Sequence, residues 1–92
     1  MPEMTWKIEF DNRARKELRK LDENSQQRIL EWISTNLKHT DNPRQHGKSL
    51  KGHFRGLWRY RIGNFRIISQ IKDQEISILI IRIAHRKDVY GK

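Results

Sequence analysis

The feature that most constrains the fold is a two-residue interruption, Gly63-Asn64, at the join of two alternating runs, "LWRYRI" (Leu57–Ile62) and "NFRIISQIK" (Asn64–Lys72). Gly followed by Asn signals a type II′ hairpin turn, because its first central position requires positive φ. A two-residue turn fixes the register, with Ile62 opposite Phe65 and Arg61 opposite Arg66. Period-two alternation then puts Trp58, Tyr60, Ile62, Phe65 and Ile67 on a core face. Arg59, Arg61 and Arg66 share the other face.

The remaining elements follow from hydrophobic period. "TWKIEF" (Thr5–Phe10) alternates and reads as a short strand in which Trp6, Ile8 and Phe10 face one way. Asp11 or Asn12 offers an N-cap. Ala14, Leu18 and Leu21 recur at helical spacing, "DENS" supplies a break and a second cap, and Ile29, Trp32, Ile33 and Leu37 form a second stripe to about His39. These stripes read as core, so Trp32 receives no functional role. "HTDNPRQHGKS" and "LKGHFRG" read as loop from their Pro, Gly and Asn content. "EISILIIRIA" (Glu75–Ala84) is apolar on both faces, as a central strand is. The expected fold is a single α+β domain over residues 1–92, β-α-α-β-β-β, with a two-helix hairpin packed on a mainly antiparallel four-stranded sheet.

Charge divides the chain in two. Residues 1–41 hold eight Lys/Arg and eight Asp/Glu, whereas residues 42–92 hold twelve and three, so the second part carries the whole formal charge of +9. Between Asp41 and Asp73 there are eight Lys/Arg and no acid. One-sided charge of this kind points to a polyanionic partner, nucleic acid or an acidic protein segment. Lys48, Lys51 and Arg55 lie in this stretch and are candidate RNA-binding residues. The chain has no Cys, which fits a reducing compartment such as the cytoplasm. "MPEMTWKIEF" has no apolar h-region, and no apolar run reaches membrane-spanning length, so no membrane partner is expected.

The arginine face suits phosphate chemistry, because guanidinium groups bind phosphate in a bidentate fork. RNA cleaves when its 2′-OH attacks the adjacent phosphorus. That step needs charge stabilisation on the phosphoryl oxygens and groups that accept and donate protons. Arginines serve the first need and serve the second poorly. With no Asp/Glu cluster to hold magnesium, a two-metal nuclease and a metal or other cofactor are not expected. The tail "HRKDVYGK" supplies His85, Arg86 and Tyr90 just past the last strand. His85 alone among the four His stands beside a strand end, while His39, His46 and His53 fall in loops or helix ends. A two-residue turn at Asp73-Gln74 puts Ile81, Ile83 and His85 on the arginine side, and a three-residue turn puts Arg82, Ala84 and Arg86 there. The pattern leaves both open.

"KSLKGHFRGLWRYRIGNFRIISQI" followed by "IIRIAHRKDVY" resembles the toxins of the RelE/ParE superfamily, on the RelE side. The likeness lies in a Leu-Lys-Gly loop, an aromatic-Arg-x-Arg strand, Gly before an aromatic-Arg strand, and a closing His-Arg-x-x-Val-Tyr. It extends over the chain, with "FDNRARKELRKL" as the first helix. The resemblance implies a toxin of a type II toxin–antitoxin pair that cleaves messenger RNA on the ribosome, without metal, by 2′-OH attack. It implies a RelB-like antitoxin as partner, with operator DNA met only through the toxin–antitoxin complex. It also implies that Arg59, Arg61 and Arg66 grip the phosphate, that Arg86 lies near the leaving group, and that Tyr90 stacks on or orients the base. The best-known member has lysines where this chain has Arg59 and Arg61, one of them a proposed base. The base is therefore assigned to His85, with Tyr90 second. The alternative is a ParE-like inhibitor of DNA gyrase, a binding protein whose relatives generally lack the complete His-Arg-x-x-Val-Tyr ending.

Overall fold

The computed structural model describes residues 5–86. Strand β1 (Lys7–Phe10) leads into α1 (Asn12–Arg19) and α2 (Glu23–Asn36). Strands β2 (Lys48–Ser49), β3 (Trp58–Ile62), β4 (Phe65–Lys72) and β5 (Ser77–His85) follow, with short 3-10 turns at Pro43–His46, Gly52–Phe54 and Asp73–Glu75. The sheet order is β1-β5-β4-β3-β2, with β1 parallel to β5 and the other pairs antiparallel. The α+β class stands, but the sheet has five strands where four were expected. The addition, β2, is two residues long and carries no alternation of its own, so only its pairing with Arg59 and Trp58 reveals it. No helix among the described residues is long and apolar enough to cross a membrane.

Both helices start on aspartate caps. The Asp11 carboxylate accepts from the Ala14 N–H at 2.8 Å, and the Asp22 carboxylate from the Ser25 N–H at 3.3 Å. Each satisfies an N–H that the first helical turn leaves unpaired. The helices bury Ala14, Ile29, Ile33 and Leu37 against Trp6, Tyr60, Ile62, Ile67, Ile78, Ile80 and Ile83. A second, smaller cluster covers part of the opposite sheet face, where Leu50, Phe54, Leu57 and Ile81 pack on Ile68 and Ala84. The segment that reads as loop is thus a lid on that face.

The β3–β4 hairpin has the expected register, Ile62 opposite Phe65 and Arg61 opposite Arg66. Gly63 has φ 60, and Asn64 lies outside the left-handed region, as a type II′ turn requires. The β4–β5 connection matches neither turn length considered. Lys72 pairs with Ser77 across a four-residue connection, and a bulge follows, with Ser69 opposite Ile80 but Ile68 opposite Arg82. Ile81 is the extra residue. It switches the phase of β5, so that Ile78 and Ile80 before it and Ile83 after it all face the helices. This phase switch is why the strand reads as apolar on both faces.

Candidate nucleic-acid interface

Cross-strand partners in a sheet point to the same side. The register therefore lays out two rows on the face away from the helices. One runs Lys48, Arg59, Ile68 and Arg82, and the next Arg61, Arg66 and Ala84. Arg61 is exposed and Arg59 half-buried, whereas Arg66 is only 8% exposed. Its burial has a local cause. Its strand neighbours on that face are Ala84 across β5 and Ile68 two residues along, both in the smaller core. An arginine stem gains by lying on such apolar surface.

Arg82 also starts on this face but is turned to the sheet edge. Its Nε donates to the Glu17 carboxylate at 3.0 Å, and the same carboxylate accepts from the Ile83 N–H at 2.7 Å. β1 pairs with β5 only as far as Ile80, so Glu17 on α1 occupies the ladder position that β1 vacates.

Arg86 follows the last strand, exposed, with its backbone N–H donating to the Asn64 carbonyl at 2.8 Å. That bond seats it beside the β3–β4 turn. Lys51 and Arg55 flank the Gly52–Phe54 turn and are exposed. His85 does not join the arginines. It pairs with Phe65 on the helix side of the sheet, with ring centroids 5.9 Å apart at 75°. The bulge at Ile81 is the physical reason. Tyr90 lies outside the described residues.

The sequence reading passed over His46. A cleft of about 250 Å³ at the β2–β3 edge is lined by Gln45, His46, Gly47, Lys48, Arg59 and Arg61. The segment bearing His46 is fastened at several points. The buried Tyr60 hydroxyl donates to the Pro43 carbonyl at 2.9 Å, and the Trp58 indole N–H donates to the Arg44 carbonyl at 3.1 Å. The Arg44 guanidinium donates to both Asp73 carboxylate oxygens at 2.9 Å. That guanidinium holds the Asp73 carboxyl below the usual carboxylate range. Gly47 must be glycine, since a Cβ there would stand 2.3 Å from the Arg59 carbonyl oxygen. A glycine beside a histidine, before the acid-free arginine strands, is the signal that could have pointed here.

A two-helix hairpin on one face of a β1-β5-β4-β3-β2 sheet is the fold of RelE-like toxins of the RelE/ParE superfamily. The chain belongs to the family described as ParE toxin of type II toxin–antitoxin system, parDE, which it matches over residues 8–90. It is 29% identical to Toxin RelG of Mycobacterium tuberculosis over 89 residues, covering 97% of this chain and 100% of that protein. The toxin–antitoxin complex RelBE2 of M. tuberculosis contains a chain of similar structure, with a TM-score of 0.82 and 27% identity over 92% of this chain and 95% of that one. The archaeal RelE–RelB complex of Pyrococcus horikoshii gives 0.71 and 26%, over 90% and 97%. Isolated Escherichia coli RelE shares the fold, with a TM-score of 0.70 at 23% identity over 94% and 92%.

Proposed function

We propose that this toxin is a ribosome-dependent mRNA endoribonuclease, which stops translation by metal-independent attack of an RNA 2′-OH on the neighbouring phosphate. The observation that carries the reading is the shared face of Lys48, Arg59, Arg61 and Arg66, with Arg86 at its end. As the 2′-oxygen attacks, negative charge builds on the phosphoryl oxygens. Fixed guanidinium groups stabilise that charge most where water is excluded, as the burial of Arg66 provides. Exposed Arg61, Lys48, Lys51 and Arg55 suit contact with the RNA backbone or ribosome. Tyr90 is retained as the base-orienting residue on resemblance. Proton transfer is not assigned to His85, which faces the helices.

The partner is a RelB-like antitoxin, as in the RelBE2 and archaeal RelE–RelB complexes that resemble this chain. Contact with operator DNA is made through that complex, and the site of action is the cytoplasm, where ribosomes and messenger RNA meet. Mapping transcript ends after induction tests the reading. In-frame cuts within translated codons are expected. Intact transcripts with a DNA-damage response would replace it with gyrase inhibition.

A further inference from the structure

Among the described residues, the arginine face suits a phosphate but presents no group that readily takes the proton of the attacking 2′-OH, and His85 is on the other side of the sheet. The cleft at the β2–β3 edge brings one imidazole to Arg59, Arg61 and Lys48. We propose that His46 is the proton acceptor of the cleavage step, and that the cleft seats the nucleotide whose 2′-OH attacks. This inference rests on the ribonuclease reading above.

The size and setting suit that role. At about 250 Å³ the cleft is too small for a length of strand and limits its occupant to about a single nucleotide unit. The imidazole is held from two sides. Its ring meets the Trp32 ring edge-on at 6.2 Å and 85°, and its Nε2 accepts from the Gln45 side-chain N–H at 3.2 Å, a bond the attacking 2′-OH must displace. The segment beneath it is pinned by Tyr60, Trp58 and the Arg44–Asp73 pair. A fixed ring on a fixed segment is what proton transfer in a defined geometry needs. The charged groups around it are Lys48, Arg59 and Arg61 in the cleft, with His39 and Asp41 lining the adjoining hollow, and α2 presents the uncharged Trp32.

In the step, the bond from O2′ to phosphorus forms as the O2′ proton passes to the imidazole. The bond from phosphorus to O5′ breaks, and the leaving oxygen takes a proton from water. The imidazolium returns its proton to the hydroxide left behind. The products are a 2′,3′-cyclic phosphate and a 5′-OH, with no change of oxidation state.

The test is single-turnover cleavage of messenger RNA on programmed ribosomes by the full-length toxin across pH 5–9, comparing the native chain with His46→Ala and His46→Gln. A loss of about 100-fold or more is expected in both, within the range for a general base. The acid limb of the native profile should vanish, and free imidazole should partly restore His46→Ala. In parallel, the ring nitrogen signals of His46 in the native toxin should shift when a 2′-O-methyl trinucleotide is added. A native toxin that cuts, with variants that cut within about threefold of it on the same profile, overturns the inference and leaves the ribonuclease reading intact. Loss without rescue and with the acid limb retained also overturns it. A native toxin that cuts no RNA overturns the reading itself.

Discussion

Arg61 and Arg66 stand directly opposite each other across the β3–β4 ladder, yet one is exposed and the other 8% exposed. The two positions therefore separate function from stability. Arg61→Ala should relieve growth arrest with unfolding unchanged within about 0.5 kcal/mol, as for surface substitutions. Arg66→Ala should relieve it too, and should also cost about 1–3 kcal/mol by removing a buried side chain packed on Ile68 and Ala84. Growth after induction and urea titration of both variants check this pair. Full toxicity of a folded Arg61→Ala would exclude it from the site.

Glu17 closes the sheet where β1 stops, accepting from Arg82 and from the Ile83 N–H. Glu17→Ala leaves both donors without that acceptor and should destabilise by about 2–3 kcal/mol. Glu17→Gln keeps an acceptor oxygen and should lose less. Amide hydrogen exchange should quicken at Ile83 in the alanine variant, which locates the effect.

Tyr60 is fully buried, and burial pushes its phenol up to about 12. The unfolded chain loses this proton near pH 10, while the folded chain keeps it to about 12. Stability from this group is therefore complete below about pH 10 and falls as pH rises toward 12. Tyr60→Phe should flatten that alkaline slope. At neutral pH it should cost about 1 kcal/mol for the lost bond to the Pro43 carbonyl. Thermal unfolding between pH 7 and 11 reads both effects.

Gly47 approaches the β3 backbone too closely for any side chain. Gly47→Ala should push the His46 segment off the sheet edge and cost about 1–3 kcal/mol. The marker is faster exchange of the Gly47-position N–H, which donates to the Arg44 carbonyl.

Ile76 is the one non-glycine residue with positive φ among the described residues, at 48°, and is 39% exposed. A β-branched side chain is strained there. Ile76→Gly should raise the midpoint of urea unfolding, by about 1 kcal/mol in stability. The Ile76 carbonyl, which accepts from the Lys7 N–H, is unaffected by the change. A lower midpoint would mean that the side chain's packing outweighs its strain.

What the sequence determined by itself is local. Gly63-Asn64 sets a turn of known length, so the pairing of Arg61 with Arg66 and the arginine face follow by alternation alone. The Asp11 and Asp22 caps and both helical stripes are legible for the same reason, since each depends on residues within a turn or two. The tertiary structure decided what depends on distant partners. The side taken by His85 turns on a bulge at Ile81, where a residue packs under Leu50, Phe54 and Leu57. One extra residue reverses every side chain beyond it, and no local pattern in a strand apolar on both faces records it. His46 reaches the arginines only because Trp32 from α2 and the β3 edge meet there. Its own neighbours, Pro43 and Gly47, announce a loop and nothing about what that loop is laid against.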